Sequence, residues 1–140
     1  MSKVAVVYWS GTGNTQAMAE AVAAGARDKG AEVSVFFSSE FSKEKAAEFG
    51  GIAFGCPAMG AEVLEETDFD PMFTEAERSL GGKKVALFGS YGWGDGQWMR
   101  DWEDRCRNAG IVLAADSVMA NDAPNEDALA ECRALGAALA

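Results

Sequence analysis

The sequence contains no histidine, and this absence excludes a group of reactions. Without imidazole there is no Ser–His or Cys–His nucleophile pair, and no ordinary general base that titrates near neutral pH. The cysteines Cys56, Cys106 and Cys132 are too far apart in sequence for a zinc or thioredoxin-like pair. We therefore expect any demanding chemistry to come from a bound cofactor rather than from side chains.

Positive charge is scarce as well. The chain carries 12 Lys+Arg against 22 Asp+Glu, which gives a net charge of −10. This balance argues against nucleic-acid binding, which needs a basic surface. It favours a protein that docks on basic partner surfaces, although acidity that only aids solubility would look the same.

Long hydrophobic runs are also absent. No stretch approaches the roughly 18 apolar residues that a membrane-spanning helix needs. Met1-Ser2-Lys3 leads at once into an apolar run, which leaves no room for a signal peptide, so we expect a soluble cytoplasmic protein. A chain of 140 residues, 49% of them hydrophobic, is expected to form one domain over residues 1–140 with an ordinary core.

Apolar runs alternate with segments of helical periodicity. The predicted strands are Val4–Tyr8, Val33–Phe37, Ile52–Gly55, Val85–Gly89 and Ile111–Val118. The predicted helices are Gln16–Lys29, Lys43–Phe49, Pro71–Leu80, Gln97–Ala109 and Asn125–Leu139. This alternation predicts an α/β fold with a doubly wound five-stranded parallel sheet, flavodoxin-like in its strand order 2-1-3-4-5. Asp116 and Ser117 weaken the fifth strand, which suits an edge position.

The segment between the first strand and the first helix has the composition of a phosphate-binding loop. A helix start offers backbone N–H groups without partners, and its dipole favours an anion. The residues at this start are hydroxyl, amide or glycine residues: Ser10, Gly11, Thr12, Gly13, Asn14 and Thr15. The loop lacks Lys and Arg and fits neither the P-loop nor the dinucleotide fingerprint. The alternative is that these residues only cap the helix.

The predicted topology brings two further loops to the same edge of the sheet. Residues Cys56–Glu62 follow the third strand, and residues Ser90–Gly96 follow the fourth. Trp93 stands between two glycines, where an exposed indole suits a flat ligand, and Met59 suits the opposite face of the same ring. The alternatives are a loop anchor for Trp93 and plain packing for Met59.

Three segments in the expected order resemble the flavodoxins, especially the short-chain type. Val6-Val7-Tyr8-x-Ser10-x-x-Gly13-x-Thr15-x-x-x-Ala19-x-x-Val22 is similar to the N-terminal motif of that family. Residues 58–66 and 82–96 resemble its two ring-binding loops. The resemblance covers nearly the whole chain and is weakest over Ser38–Phe49 and Asp116–Glu126.

The resemblance implies non-covalently bound FMN. Its 5′-phosphate would be held by residues Ser10 to Thr15 and by Ser90, and Met59 and Trp93 would sandwich the isoalloxazine ring. Backbone groups of the two ring loops would bond the ring edges, from Ala58, Met59, Gly60, Gly92 and Gly94. The Glu62 carboxylate would accept from the flavin N3–H, and Asn121 would lie near the ribityl chain. The remaining loop residues assigned to the site are Pro57, Ala61 and Tyr91.

Two of these positions depart from the family pattern. Ala61 stands where relatives can carry Asp, so one negative charge near the ring is missing. Pro57 stands where some relatives offer a serine to the phosphate, which removes one side-chain donor.

The function implied by the resemblance is low-potential one-electron transfer through semiquinone and hydroquinone states, by an electron-transfer protein rather than an enzyme. The partners would be basic-surfaced reductases and oxidoreductases that dock transiently, with no nucleic acid and no membrane. Because transient docking favours small contacts, we expect a monomer. The alternatives are an FMN enzyme that accepts hydride from a nicotinamide, a receiver domain of the same fold, and a flavin store.

Overall fold

A five-stranded parallel sheet forms the centre of the protein. The structure is a computed structural model and describes residues 2–60, 62–92 and 94–140. The strands are β1 (Lys3–Tyr8), β2 (Glu32–Phe37), β3 (Gly51–Gly55), β4 (Lys84–Tyr91) and β5 (Val118–Asn121). Their spatial order is β2-β1-β3-β4-β5, and every neighbouring pair is parallel, which confirms the predicted fold.

Helices cover both faces of this sheet. They are α1 (Asn14–Asp28), α2 (Lys43–Ala46), α3 (Phe69–Ala76), α4 (Gln97–Asn108) and α5 (Glu126–Leu139). Successive residues of a strand point to opposite faces, and in β1 the residues Val4 and Val6 pack with α1 and α5. Ala5 and Val7 pack on the opposite face with α3 and α4. Burial on both faces explains why β1 is a continuous apolar run.

The helices α1 and α5 lie in close backbone contact. A Cβ atom on Gly25 would overlap the backbone carbonyl of Arg133, and one on Gly136 would overlap that of Val22. Glycine at these two positions therefore sets the distance between the helices. Because α1 follows the loop after β1 and α5 follows the loop after β5, this contact fixes the positions of these two loops relative to each other.

The fifth strand differs from its predicted position. It was expected at Ile111–Val118, but the regular pairing with β4 runs from Val118 to Asn121. Upstream, only Leu113 pairs with the sheet among the described residues, through an isolated bridge to Val85. The chain leaves the ladder after this bridge, and the Ser117 hydroxyl donates to Glu103 Oε2 of α4 at 2.7 Å. The strand does lie at the sheet edge, as predicted.

Other boundaries differ by a few residues. The helix expected to start at Pro71 begins at Phe69 and ends at Ala76, with a 3₁₀ turn from Glu77 to Ser79. The second helix stops at Ala46 instead of Phe49. The strand β4 continues to Tyr91, so Ser90 and Tyr91 belong to the strand and not to the loop after it.

All strands of a parallel sheet end at the same edge, so the loops after β1, β3, β4 and β5 share one rim. The chain order reverses between β1 and β3, since β2 lies on one side of β1 and the later strands lie on the other. Ligands of open α/β sheets bind at such a reversal, outside the carboxyl ends of the strands. Within the described residues, no helix has the length and apolar composition to cross a membrane.

Candidate cofactor-binding site

The loop between β1 and α1 presents backbone donors at a helix start. The residue that precedes α1 is Gly13, whose φ of 94° is left-handed and costs glycine little. Its N–H donates to Ser10 Oγ at 3.0 Å, which closes a tight turn. Gly13 has no side chain that could satisfy the first N–H groups of α1. These groups therefore face the rim in the arrangement that attracts an anion, and the capping alternative is not favoured.

Two buried hydroxyls connect this loop to β4. Thr15 Oγ1 and Ser90 Oγ lie 2.9 Å apart, and the residues are 1% and 5% exposed. In such a pair one hydroxyl donates to the other, so one proton remains available to a further acceptor. The structure thus brings together two residues that the sequence assigned to one phosphate from opposite halves of the chain.

The loop after β3 is held against β4. The Cys56 N–H donates to the Phe88 carbonyl at 3.1 Å, and the Ala58 N–H donates to the Ser90 carbonyl at 2.9 Å. These two bonds continue the parallel pairing beyond the end of β3. They place Ala58 and Met59 beside the hydroxyl pair.

A short hairpin follows at residues 59–63. Met59 and Val63 exchange two backbone hydrogen bonds of 2.9 and 3.1 Å. Gly60 has a φ of 43°, and Glu62 has a φ of 57°, which is uncommon for a residue with a side chain. Ala61 lies outside the described residues. The hairpin therefore turns sharply at the positions predicted to contact the flavin ring.

Cys56 holds the two ends of the loop that contains this hairpin. Its Sγ accepts the Glu65 N–H at 3.3 Å, and its carbonyl accepts the Trp98 indole N–H at 3.1 Å. Both Cys56 and Trp98 are buried, and these bonds tie the ends of the loop after β3 to each other and to α4.

A buried carboxylate fixes the far end of the same loop. Glu65 is 6% exposed and accepts backbone N–H bonds from Thr67, Asp68 and Phe69 at 2.9, 2.7 and 2.8 Å. Burial raises the pKa of the Glu65 carboxyl, but these bonds outweigh burial and hold the pKa below its ordinary value. The bonds cap the start of α3, which explains why that helix begins before Pro71.

The Glu62 side chain reaches across to the loop after β4. Its Oε1 accepts the Gln97 N–H at 3.1 Å and so caps the first turn of α4. A Cβ on Gly94 would lie 2.6 Å from the same oxygen, and the φ of Gly94 is 89°. Trp93 lies outside the described residues. The carboxylate predicted to bind the flavin N3–H therefore already joins the two ring loops.

One cavity of about 240 Å³ opens at this rim. Ten of the residues that line it were predicted as site residues: Gly11, Thr12, Asn14, Thr15, Pro57, Ala58, Met59, Ser90, Tyr91 and Gly92. Two lining residues were not predicted, Trp9 and Asp122. The described residues that line the cavity include no Lys or Arg, so an anion here would meet neutral donors.

The two missed residues flank predicted ones. Trp9 stands between β1 and the first loop, and a Cβ on Gly11 would lie 3.0 Å from its indole. Asp122 directly follows β5 at the same rim. Trp9 directly follows the predicted end of β1 and could have been identified from it, whereas Asp122 could not, because the fifth strand was predicted to end at Val118.

Asn121 was predicted near the ribityl chain, but it is not among the lining residues. It is exposed, and its Nδ2 donates to the Tyr91 carbonyl at 3.3 Å. Other predicted site residues in the described part of the chain also do not line the cavity. These are Ser10, Gly13, Gly60, Glu62 and Gly94.

This chain is similar to known proteins in both sequence and fold. The family model described as Flavodoxin matches residues 6–136 of the chain. A flavodoxin of Clostridium beijerinckii is 46% identical over 121 residues, which cover 86% of this chain and 88% of that protein. A flavodoxin of Megasphaera elsdenii is 43% identical over 137 residues, which cover 98% of both proteins.

The fold comparison agrees with the sequence comparison. The solution structure of two-electron reduced Megasphaera elsdenii flavodoxin matches this chain with a TM-score of 0.90. The match covers 97% of each chain at 43% sequence identity.

Proposed function

Because this chain belongs to the flavodoxin family, we propose that it is a mobile, low-potential one-electron carrier. Flavodoxins are electron-transfer flavoproteins that bind FMN, so the cofactor of this chain is FMN and the protein is not an enzyme. The observation that carries the proposal is the meeting of three rim loops at one cavity, on the reversal point of the sheet.

The phosphate end of this cavity fits a flavin monophosphate. The start of α1 supplies unpartnered N–H groups, and the buried pair of Thr15 and Ser90 supplies a hydroxyl proton. We propose that residues Ser10 to Thr15 and Ser90 hold the 5′-phosphate. Neutral donors suit a monoester that stays bound, because the described residues lining the cavity include no Lys or Arg that could assist phosphoryl transfer.

The two ring loops fit the isoalloxazine. We propose that Met59 and Trp93 enclose the ring and that Glu62 accepts from its N3–H. Glu62 is suited to this role because one of its carboxylate oxygens already caps α4, which limits the motion of the other. Backbone groups would bond the ring edges, from Ala58, Met59, Gly60, Gly92 and Gly94. We propose that Pro57, Ala61 and Tyr91 also belong to the site and that Asn121 is a neighbour of the ribityl chain.

FMN supplies one-electron chemistry through semiquinone and hydroquinone states. The contribution of the chain is to hold the ring in place, to exclude water from its faces and to surround it with negative charge. With a net charge of −10, added negative charge on the ring is disfavoured, which lowers the potential of the second electron step.

We propose that residues 1–140 act as one FMN-binding domain of a cytoplasmic monomer. The acidic balance supports transient docking on basic-surfaced reductases and oxidoreductases. We propose neither nucleic acid nor a membrane as a binding partner.

Anaerobic reduction of the FMN-loaded protein tests the function. Stepwise reduction is expected to turn the yellow protein blue before it bleaches, because a carrier must stabilise the one-electron state. NADH and NADPH alone are the controls and should leave the yellow colour unchanged over the same time. A direct change from yellow to colourless, or rapid bleaching by a nicotinamide alone, would contradict the carrier and favour an FMN enzyme.

A further inference from the structure

The loop after β4, residues 92–96, is rich in glycine. Glycine occupies three of its five positions, Gly92, Gly94 and Gly96. Gly94 and Gly96 have φ values of 89° and 91°, in the left-handed region that glycine enters readily. Ordering a backbone residue costs conformational entropy, and glycine loses more of it than any other residue. The loop that carries Trp93 therefore needs contacts from outside itself to hold one conformation.

Two contacts hold the point where this loop joins α4. Glu62 Oε1 accepts the Gln97 N–H at 3.1 Å, from the hairpin on one side. On the other side, a Cβ on Gly96 would lie 2.8 Å from the Sδ of Met119 in β5, so the glycine backbone packs directly on that side chain. Neither contact involves Asp95, the residue between the last two glycines.

Arg100, in the first turn of α4, holds Asp95. Its Nη1 donates to the Asp95 carbonyl at 3.0 Å, and its Nη2 donates to Asp95 Oδ1 and to Gln97 Oε1, both at 2.9 Å. One guanidinium group thus bonds the backbone and the side chain of the loop together with the start of the helix. In the described part of the chain, no other Lys or Arg donates a hydrogen bond to residues 92–97. The planar guanidinium makes these three bonds at once, which a lysine ammonium does not reproduce.

The helix that carries Arg100 is fixed to the core. Trp98 and Trp102 of α4 are 1% and 2% exposed. The Trp98 indole N–H also donates to the Cys56 carbonyl at the start of the loop after β3. Arg100 therefore connects a glycine-rich loop to an element whose own position is set by buried contacts.

We propose that Arg100 is a positioning residue for the flavin ring. By fixing Asp95, it holds the loop after β4 in the conformation in which Trp93 and the backbone of Gly92 and Gly94 meet the isoalloxazine. This inference rests on the proposed FMN site. It adds a residue that does not line the cavity and that the flavodoxin resemblance did not assign.

Two substitutions at Arg100 separate its geometry from its charge. Arg100→Lys keeps the charge and loses the planar group, whereas Arg100→Ala removes both and keeps a strong helix former. Arg107→Lys and Arg107→Ala are the matched controls. Arg107 is an exposed residue seven positions further along α4, and its ion pair is with Asp104 rather than with a rim loop.

Two readouts follow FMN binding to each apoprotein. The dissociation constant measures affinity, and the fluorescence that FMN retains at saturation measures how well the ring is enclosed. Arg100→Lys should weaken binding about threefold and Arg100→Ala about tenfold, because a freer loop leaves the ring uncovered part of the time. The retained fluorescence should rise in the same order. Both Arg107 variants should stay within about twofold of wild type in affinity and match its retained fluorescence.

A double-mutant cycle tests whether Arg100 acts through Asp95. Asp95→Ala should cost less FMN affinity in the Arg100→Ala background than in wild type, because the bond to the carboxylate is already absent there. Any direct effect of the Asp95 charge on the phosphate is common to both backgrounds and cancels in the cycle. Equal losses in the two backgrounds would contradict the link through Asp95.

The role of Arg100 would be overturned by unchanged affinity in Arg100→Ala, or by a loss no larger than that of Arg107→Ala. Weaker binding without a rise in retained fluorescence would assign the effect to charge alone and would overturn it too. Wild-type protein that does not bind FMN would instead overturn the proposed function. Thermal unfolding of the apoproteins identifies a variant that fails to fold, in which case the milder Arg100→Lys decides.

Discussion

Gly60 is the residue where backbone freedom matters most for the proposed function. Its φ is 43°, and a Cβ at this position would meet nothing within 4 Å. Alanine there would not collide with neighbours, so any effect must come from the restricted backbone. A peptide that rotates at Gly60 can turn its carbonyl towards the flavin N5 proton that appears on one-electron reduction.

We expect Gly60→Ala to lower the potential of the first electron step. The rotated peptide needs a backbone conformation that glycine adopts freely and that costs alanine about 1 kcal/mol more, where about 1.4 kcal/mol corresponds to 59 mV for a one-electron step. Redox titration measures this shift. Gly30→Ala is the control, because Gly30 has a φ of 86° and open space around it but lies outside the site. An unchanged first potential in Gly60→Ala would remove the peptide rotation from the account.

The sequence predicted the positions around the cavity unevenly. The loop residues carry their chemistry in local order, so a strand followed by hydroxyl and glycine residues was enough to predict a phosphate site. Asp122 and Trp9 owe their position to where a strand ends and in which direction its last residue turns. Asp122 was missed because a left-handed aspartate looks like any other loop residue in a sequence.

At the scale of elements, α3 and the hairpin at residues 59–63 are joined through Glu65. The carboxylate caps α3, and the Glu65 N–H bonds Cys56 at the start of the same loop. This residue therefore stabilises the helix and the loop that positions Met59.

Glu65 should make stability depend on pH. Because its folded pKa is lowered, the ionised carboxylate stabilises the fold above the unfolded pKa, and this contribution is lost as pH falls through the folded pKa. Glu65→Gln is expected to lower the free energy of unfolding by about 1–2 kcal/mol at pH 7. The gap to wild type should be smaller at about pH 3 than at pH 7. The stabilisation begins to fall below the ordinary Glu pKa of about 4.3 and is fully lost only below the lowered folded pKa, where the Glu65 carboxyl is neutral like Gln.

Urea unfolding at the two pH values measures this gap. Glu66→Gln is the control, because Glu66 is the exposed neighbour of Glu65 in the same loop. A gap of equal size at both pH values would show that the effect does not come from ionisation.

Strand boundaries were predictable where an apolar run coincides with regular pairing, as in β1, β2 and β3. The strands β1 and β3 are buried along most of their length and were placed to within a residue of each end. The fifth strand was misplaced because the apolar run Ile111–Ala115 pairs with the sheet only at Leu113. Hydrophobicity alone does not distinguish a regularly paired strand from an apolar segment that pairs with the sheet at a single bridge.

At the scale of the whole molecule, net charge is the property expected to affect the redox potentials most. The chain has a net charge of −10, and the described residues that line its cavity include no Lys or Arg. Acidic side chains across the surface therefore oppose further negative charge on a bound ring. This repulsion acts over long distances, so dissolved salt screens it.

Raising the ionic strength from 0.01 M to 0.1 M shortens the screening length from about 30 to about 10 Å. We expect the potential of the second electron step to rise by some tens of millivolts, where about 59 mV is a tenfold change in equilibrium. The first step is the internal control, since its electron arrives with a proton and adds no net charge. Redox titration in KCl measures both, and a second potential indifferent to salt would contradict the electrostatic explanation.

The three thiols have a consequence for experiments on this protein. Cys56, Cys106 and Cys132 are all buried, and burial raises the pKa of Cys106 and Cys132 to about 12. A cysteine is alkylated when its thiolate attacks the reagent, and only when the reagent can reach the sulfur. Alkylation of the native chain therefore requires transient opening of the core. Its rate at Cys56 and Cys106 measures how often the core opens on one face of the sheet, and its rate at Cys132 measures opening on the other face. No engineered label is needed for that measurement.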